Sequence, residues 1–114
     1  HIGLYRDYKT LQPKEYLNSV DSNLSGKQVV LCDPMLATGG SAIYAINLLK
    51  SSGAKEIRFA CILAAEYVII QLNEHHPDVS IFAAETDEHL DDRGYRVPGL
   101  GDAGDRIFDT IRKH

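Results

Sequence analysis

Long apolar runs are missing from this chain. Nothing in its 114 residues approaches the roughly 20 consecutive apolar residues of a membrane-spanning helix, so no membrane partner is expected. An excess of positive charge is missing too. Twelve Lys and Arg stand against sixteen Asp and Glu, a net charge of −4, whereas a surface that grips a nucleic-acid backbone needs clustered cations. No nucleic-acid partner is expected. Cysteine is scarce: Cys32 and Cys61 each sit inside a short apolar run, which predicts two buried thiols of a reducing compartment and no disulfide framework. The five histidines, His1, His75, His76, His89 and His114, lack zinc-ligand spacing and are assigned no metal. No stretch reads as a secretory signal, and the expected location is cytoplasmic. Two familiar phosphate loops are also absent, since there is neither a GxxxxGK[ST] with its lysine nor a GxGxxG. What is present is the composition of an ordinary globular protein, 44% hydrophobic and 25% charged, with the length of one domain over residues 1–114.

The chain is organised around Val29 to Ser41. Val29 to Cys32 is a continuous apolar run, as expected of a strand buried on both faces of a parallel sheet. It breaks at Asp33-Pro34, because proline fixes its own φ and lacks the N–H of a central strand. Thr38, Gly39 and Gly40 follow, and then Ala42 to Ser52 reads as a helix with Ile43, Ile46, Leu48 and Leu49 on its apolar stripe, Ser41 as N-cap and Gly53 past its end. A strand, a small-residue loop and a helix start together build an anion site. The first N–H groups of a helix have no intrahelical acceptor, and the helix dipole puts about half a positive charge there. Two glycines remove the Cβ atoms that would hold a phosphate away. Thr38 and Ser41 add hydroxyls, and Asp33 at the strand end is placed to accept from sugar hydroxyls or face a metal. The same string also fits a tight structural turn, and on these four residues alone both readings stand.

The remaining elements follow the same logic. Ile2 and Leu4 alternate with smaller or polar residues, so His1 to Lys9 reads as a strand with Arg6 at its end. Thr10 to Gln28 is polar and rich in turn residues, and reads mostly as loop with one helical turn near Lys14 to Val20. Ile57 to Ala64 and Val79 to Ala84 read as strands flanking a short helix from Glu66 to His75 that carries Val68, Ile69 and Leu72 on one side and stops at Pro77. The result is a βαβαβ unit with right-handed crossovers, a layered α/β fold. Ligands of such sheets lie outside the carboxyl ends of the strands, where Asp33 to Ser41 falls. Glu85, Asp87, Glu88, Asp91 and Asp92 form an acidic stretch that reads as a solvated loop.

The string Asp33-Pro34-Met35-Leu36-Ala37-Thr38-Gly39-Gly40-Ser41 resembles the ribose-5-phosphate loop of type I phosphoribosyltransferases, in the version found in uracil phosphoribosyltransferases. A second stretch supports the resemblance. Gly94 to Arg106 holds four glycines and a proline in thirteen residues, which predicts a bent loop with its backbone exposed, in place of a regular element. Taken alone it also suits a structural loop ahead of a C-terminal helix from Asp105 to Arg112. Exposed backbone suits uracil, whose edge offers two carbonyl acceptors around one N–H. Cytosine would present a donor where an acceptor is needed, at a cost of about 1–3 kcal/mol per unpaired buried group. Residue by residue, this stretch is similar to the uracil-binding loop of the same family.

The resemblance implies a three-layer, Rossmann-like α/β fold with a mainly parallel sheet. It also implies formation of UMP and diphosphate from uracil and 5-phospho-α-D-ribose 1-diphosphate. Carried over by position, Asp33 to Ser41 hold the ribose 5-phosphate, with Asp33 facing the ribose. Arg6, in the phrase Gly-Leu-Tyr-Arg-Asp, contacts the diphosphate; without the resemblance it reads as a surface charge. Arg96, Gly101 and Ala103 hold uracil through their main chain, and Asp102 reaches the base, the sugar diphosphate and its Mg2+, which is carried by the substrate. Allosteric GTP and homo-oligomerisation are further expectations of the family. Arg96 departs from the usual aliphatic residue, and Glu66-Tyr67-Val68 replaces a usual Pro-Glu-Gly, to which no functional meaning is attached. The opening phrase falls near the middle of a family polypeptide, so the expectation is a C-terminal half of a longer enzyme, truncated at its N-terminus. A non-catalytic, nucleotide-sensing or RNA-binding regulator and an inactive half-enzyme are the competing readings.

Overall fold

A computed structural model describes residues 1–87, the strand pair His89–Leu90 and Arg96–Val97, and no others. Its first unit is a hairpin. Strand β1 (Ile2–Arg6) pairs antiparallel with β2 (Pro13–Asn18). The expected loop and helical turn after Thr10 are therefore replaced by a strand. Cross-strand contact overrides the polar composition here: the Tyr5 and Tyr16 rings lie 6.5 Å apart, and Gly3 lets Tyr16 and Leu17 approach so closely that an added Cβ would meet their side chains at 2.6 and 2.7 Å. The turn is fixed by Asp7. Its carboxylate accepts from the Thr10 and Lys9 N–H groups at 3.0 and 2.9 Å and pairs with Lys14, and the two backbone bonds, led by that from Thr10, pull its pKa down to about 2.

The second unit is the parallel sheet. β3 (Gln28–Cys32) and β4 (Met35–Leu36) run along one edge of β5 (Glu56–Ala65), and β6 (Ser80–Asp87) runs along the other. β3 and β4 keep a single register, Cys32 opposite Ala60 and Met35 opposite Leu63. The strand thus does not end at Asp33-Pro34, as the proline suggested; it is interrupted there and resumes. Pro34 has no N–H to give, but its carbonyl accepts from both Ile62 and Leu63 N–H at 3.1 Å, which holds the interruption against β5. Helix α1 (Gly40–Ser51) joins this edge to β5, and α2 (Glu66–His75) joins β5 to β6. The expected βαβαβ order is present, and α2 has the predicted limits.

Both helices lie on one face of the sheet. Ile46 and Leu49 of α1, Val68 and Leu72 of α2 and Ile57 and Phe59 of β5 are buried in a common cluster. On the other face Val30, Ile62 and Phe82 are 58, 61 and 58% exposed. β3 is consequently not buried on both faces, and Cys32 is exposed and Cys61 half-buried, contrary to expectation. An apolar run alone does not say whether both faces of a strand are covered. β6 reaches Asp87, which is buried, so Glu85 and Asp87 belong to a strand and not to a solvated acidic loop. Glu88, Asp91 and Asp92 lie outside the described residues, as does the expected C-terminal helix from Asp105 to Arg112. β7 (His89–Leu90) pairs antiparallel with β8 (Arg96–Val97), so the glycine-rich stretch contains one regular piece.

At the end of the sheet opposite the strand carboxyl termini, Lys50 ties the helices together. Its Nζ lies 2.9 Å from His76 Nδ1 and 2.8 Å from Asp78 Oδ1. An ammonium has only donors, so the imidazole nitrogen accepts and the ring is neutral. Burial foremost, then the Lys50 and His75 charges, lower the His76 pKa against the opposing pull of Asp78. The unfolded chain then binds a proton more readily than the folded one. The contribution of His76 to stability is therefore complete above about pH 6.5 and is lost as pH falls below it. Urea midpoints measured at about pH 7.5 and 5.5 should show this loss, and the difference should shrink in His76→Gln.

Candidate active site

The loop between β4 and α1 is held at both ends. Before it, Leu36 is 2% exposed and paired opposite Ala64. After it, Gly39 adopts φ +84° as the N-cap of α1 and its carbonyl accepts from Ile43 N–H at 2.9 Å. This left-handed conformation is the one glycine enters without a Cβ penalty. The expected N-cap, Ser41, lies instead in the first turn, because the helix starts at Gly40. No side chain caps the helix and its first turn carries no acidic residue. The dipole at this terminus has no acidic side chain of its own first turn to face it. Gly40 N–H has only a long contact, 3.5 Å, to Thr38 Oγ1.

Asp33 stands at the interruption between β3 and β4. Its N–H donates to Ala60 O at 3.1 Å, and its carboxylate Oδ1 accepts from Met35 N–H at 3.2 Å. Burial raises its pKa, against the lowering effect of that single backbone bond. Asp33 and Ser41 line one cavity of about 260 Å³ together with Ile2 and Leu4 of the hairpin. Thr38 and Gly40 line a neighbouring cavity of about 460 Å³ with Pro13, Tyr44 and Gln71. The loop therefore contributes to two spaces.

The hairpin closes one side. Tyr44 Oη donates to Glu15 Oε2 at 2.7 Å, and Pro13 Cδ lies 3.4 Å from where a Cβ on Gly40 would sit. Arg6 is the register partner of Pro13. The fold thus brings Arg6 to the hairpin end that packs on the loop, although Asp33, where the loop begins, comes 27 positions later in the sequence. Arg96 is placed in β8 opposite Leu90. Gly101, Asp102 and Ala103 lie outside the described residues.

Sequence reasoning missed one neighbour. Val68, on α2, is fully buried, and its Cγ1 lies 2.8 Å from where a Cβ on Gly39 would sit. The one signal in the sequence is that Val68 stands where the family usually has the glycine of Pro-Glu-Gly; the contact itself follows from the packing of α2 behind the loop.

For magnesium, the described residues offer no cluster of three or more His, Cys, Asp or Glu, and Asp33 is the one carboxylate lining the two cavities. One carboxylate suits an ion that keeps several waters and is held largely by substrate phosphates.

A strand-end acid, an uncapped helix start behind paired glycines and a mainly parallel sheet define an α/β protein with a glycine-rich loop at the carboxyl end of its strands. The fold is similar to that of the adenine phosphoribosyltransferase of Leishmania donovani, with a TM-score of 0.53 at 23% identity over 97% of this chain and 52% of that one. The model of the uracil phosphoribosyltransferase family matches residues 1–110, and the chain belongs to that family. Uracil phosphoribosyltransferases of Bacillus licheniformis and of Streptococcus pyogenes serotype M49 are 54 and 55% identical over 96 and 95% of this chain. The AQ2163 protein of Aquifex aeolicus superposes with a TM-score of 0.85 at 40% identity, over 94% of this chain and 51% of that one. The chain spans about half the length of the curated relatives it matches, 53 and 52% of these two.

Proposed function

We propose that this chain supplies the sugar-phosphate loop and the uracil loop of an enzyme that forms UMP and diphosphate from uracil and 5-phospho-α-D-ribose 1-diphosphate. The observation that carries the reading is the uncapped, acid-free N-terminus of α1 behind Gly39, with Asp33 at the adjoining strand end. In this reading Thr38, Gly39, Gly40 and Ser41 hold the 5′-phosphate, and Arg6 donates to the diphosphate through its planar guanidinium. Main chain at Arg96, Gly101 and Ala103 orients uracil, with Asp102 beside it. The bond from ribose C1 to the diphosphate oxygen breaks, N1 of uracil bonds to C1, and the N1 proton leaves to solvent. Asp33 faces the sugar and stabilises the positive charge that develops there, a task of placement and electrostatics. Bound magnesium would neutralise the departing diphosphate; Asp33 and, by family resemblance, Asp102 are the carboxylates that would face it.

Cytoplasmic location and association with further copies belong to the same reading. No helix of the described residues is long and apolar enough to cross a membrane, which is compatible with it. The GTP expectation rests on family resemblance alone. The test is UMP formation from labelled uracil by the full-length protein, beside an RNA titration at moderate salt. UMP formation without RNA binding is expected; RNA binding without UMP formation would replace this reading by that of a regulator.

A further inference from the structure

The register of the sheet puts α2 directly behind the loop. Leu36 is paired with Ala64; Gly39 follows Leu36 by three residues, and Val68 follows Ala64 by four. β5 passes into α2 without an intervening residue, Ala65 being both the last strand residue and the N-cap. Ala64 and Ala65 are fully buried. The start of α2 therefore cannot shift without shifting the central strand. Val68 fills the space behind Gly39, with its Cγ1 2.8 Å from the point a Cβ would occupy, and Gln71 Oε1, one turn on, lies 3.9 Å from the same point. Gln71 also lines the larger cavity beside Thr38 and Gly40.

We infer that Val68 is a positioning residue for the sugar-phosphate site, a stop that sets the Thr38-Gly39-Gly40 backbone and aims the first N–H groups of α1 at the anion. This rests on the functional reading above and extends it to a residue that touches no ligand. α1 is uncapped by side chains, so packing from outside the loop has to fix the direction of its first turn. A β-branched side chain suits this role because it holds one rotamer on a helix and presents two methyl groups to the backbone. Removing them leaves a void that the surrounding structure fills only in part.

The test is binding of ribose 5-phosphate by calorimetry to the full chain and to Val68→Ala, Val68→Thr and Leu49→Ala. Leu49 is buried in the last turn of α1, roughly 13 Å along the helix from Gly40 at 1.5 Å per residue. A misplaced binding backbone costs up to about a hundredfold, so Val68→Ala is expected to raise Kd about tenfold. Val68→Thr, which keeps both γ atoms, should stay within about twofold of the parent. Leu49→Ala should be destabilised at least as much as Val68→Ala in urea and yet bind like the parent, which separates positioning from general loss of stability. If Val68→Ala binds like the parent, or if Leu49→Ala loses binding equally, the positioning role is overturned while the functional reading stands. If the parent fails to bind ribose 5-phosphate, the functional reading falls and this inference with it.

Discussion

Asp33→Asn should lower the turnover of UMP formation by about a hundredfold, the scale found when a single preorganised electrostatic group is removed from an active site, while uracil affinity changes little. The asparagine carbonyl can still accept from Met35 N–H, so the turn at the strand interruption survives. What is lost is the negative charge that the proposed function sets against the sugar. Stability should move the other way. Burial raises the Asp33 pKa, so the folded chain holds that proton more tightly than the unfolded one. The contribution of Asp33 to stability is then present below the ordinary carboxylate pKa and is lost as pH rises through the raised folded value. At neutral pH the ionised carboxylate is a net cost, and the neutral amide removes it. Thermal melts should therefore give Asp33→Asn a higher Tm than the parent at pH 7, with the difference vanishing in acid. In the proposed role, stability is given up for a charge that the chemistry needs. The same raised pKa predicts that the acid limb of the turnover profile lies above the usual carboxylate range. Equal losses of turnover and uracil affinity, or a lower Tm, would remove Asp33 from this role.

Gly39→Ala should be the most damaging substitution in the loop. Its backbone sits at φ +84° and its Cα faces Val68 Cγ1 at 2.8 Å from the added Cβ, so two costs act together. A non-glycine residue in the left-handed region costs about 1–2 kcal/mol, and forcing a methyl into a packed core adds about 1–3 kcal/mol. Urea unfolding should show a loss of about 2–4 kcal/mol, less than the largest sum because the loop can yield in part. Sugar-phosphate binding should fall beyond detection, because the turn that yields is the one that presents the N–H groups. Gly26 serves as the comparison. It has a similar φ, +74°, but nothing within 4 Å of an added Cβ, so Gly26→Ala should show the backbone cost without the clash and without loss of binding. If Gly39→Ala behaves like Gly26→Ala, the contact with Val68 is not what constrains the loop.

The residues themselves determined a good deal. Apolar runs at Val29, Ile57 and Val79, a 3.6-residue stripe on each helix and the breaks at Gly53 and Pro77 define the βαβαβ order, because burial of one face must match the period of each element. Asp33-Pro34 and Thr38-Gly39-Gly40 mark the loop, since proline and glycine act through local backbone angles that need no partner. Where the answer depended on a partner, the sequence was silent or misleading. The hairpin partner of β1 looked like loop because Pro13 to Asn18 gains its strand from Tyr5 and Tyr16 across the ladder. Val29 to Cys32 looked fully buried because an apolar run does not reveal which face lacks a cover. The proline looked like a strand end because only the β5 ladder shows Met35 and Leu36 rejoining in the same register. Arg6 at the loop, Asp33 in a desolvated setting and Val68 behind Gly39 are likewise products of tertiary packing. Local conformation is set by neighbours along the chain, but burial, pKa and contact are set by neighbours in space, and those exist only once the sheet register is fixed.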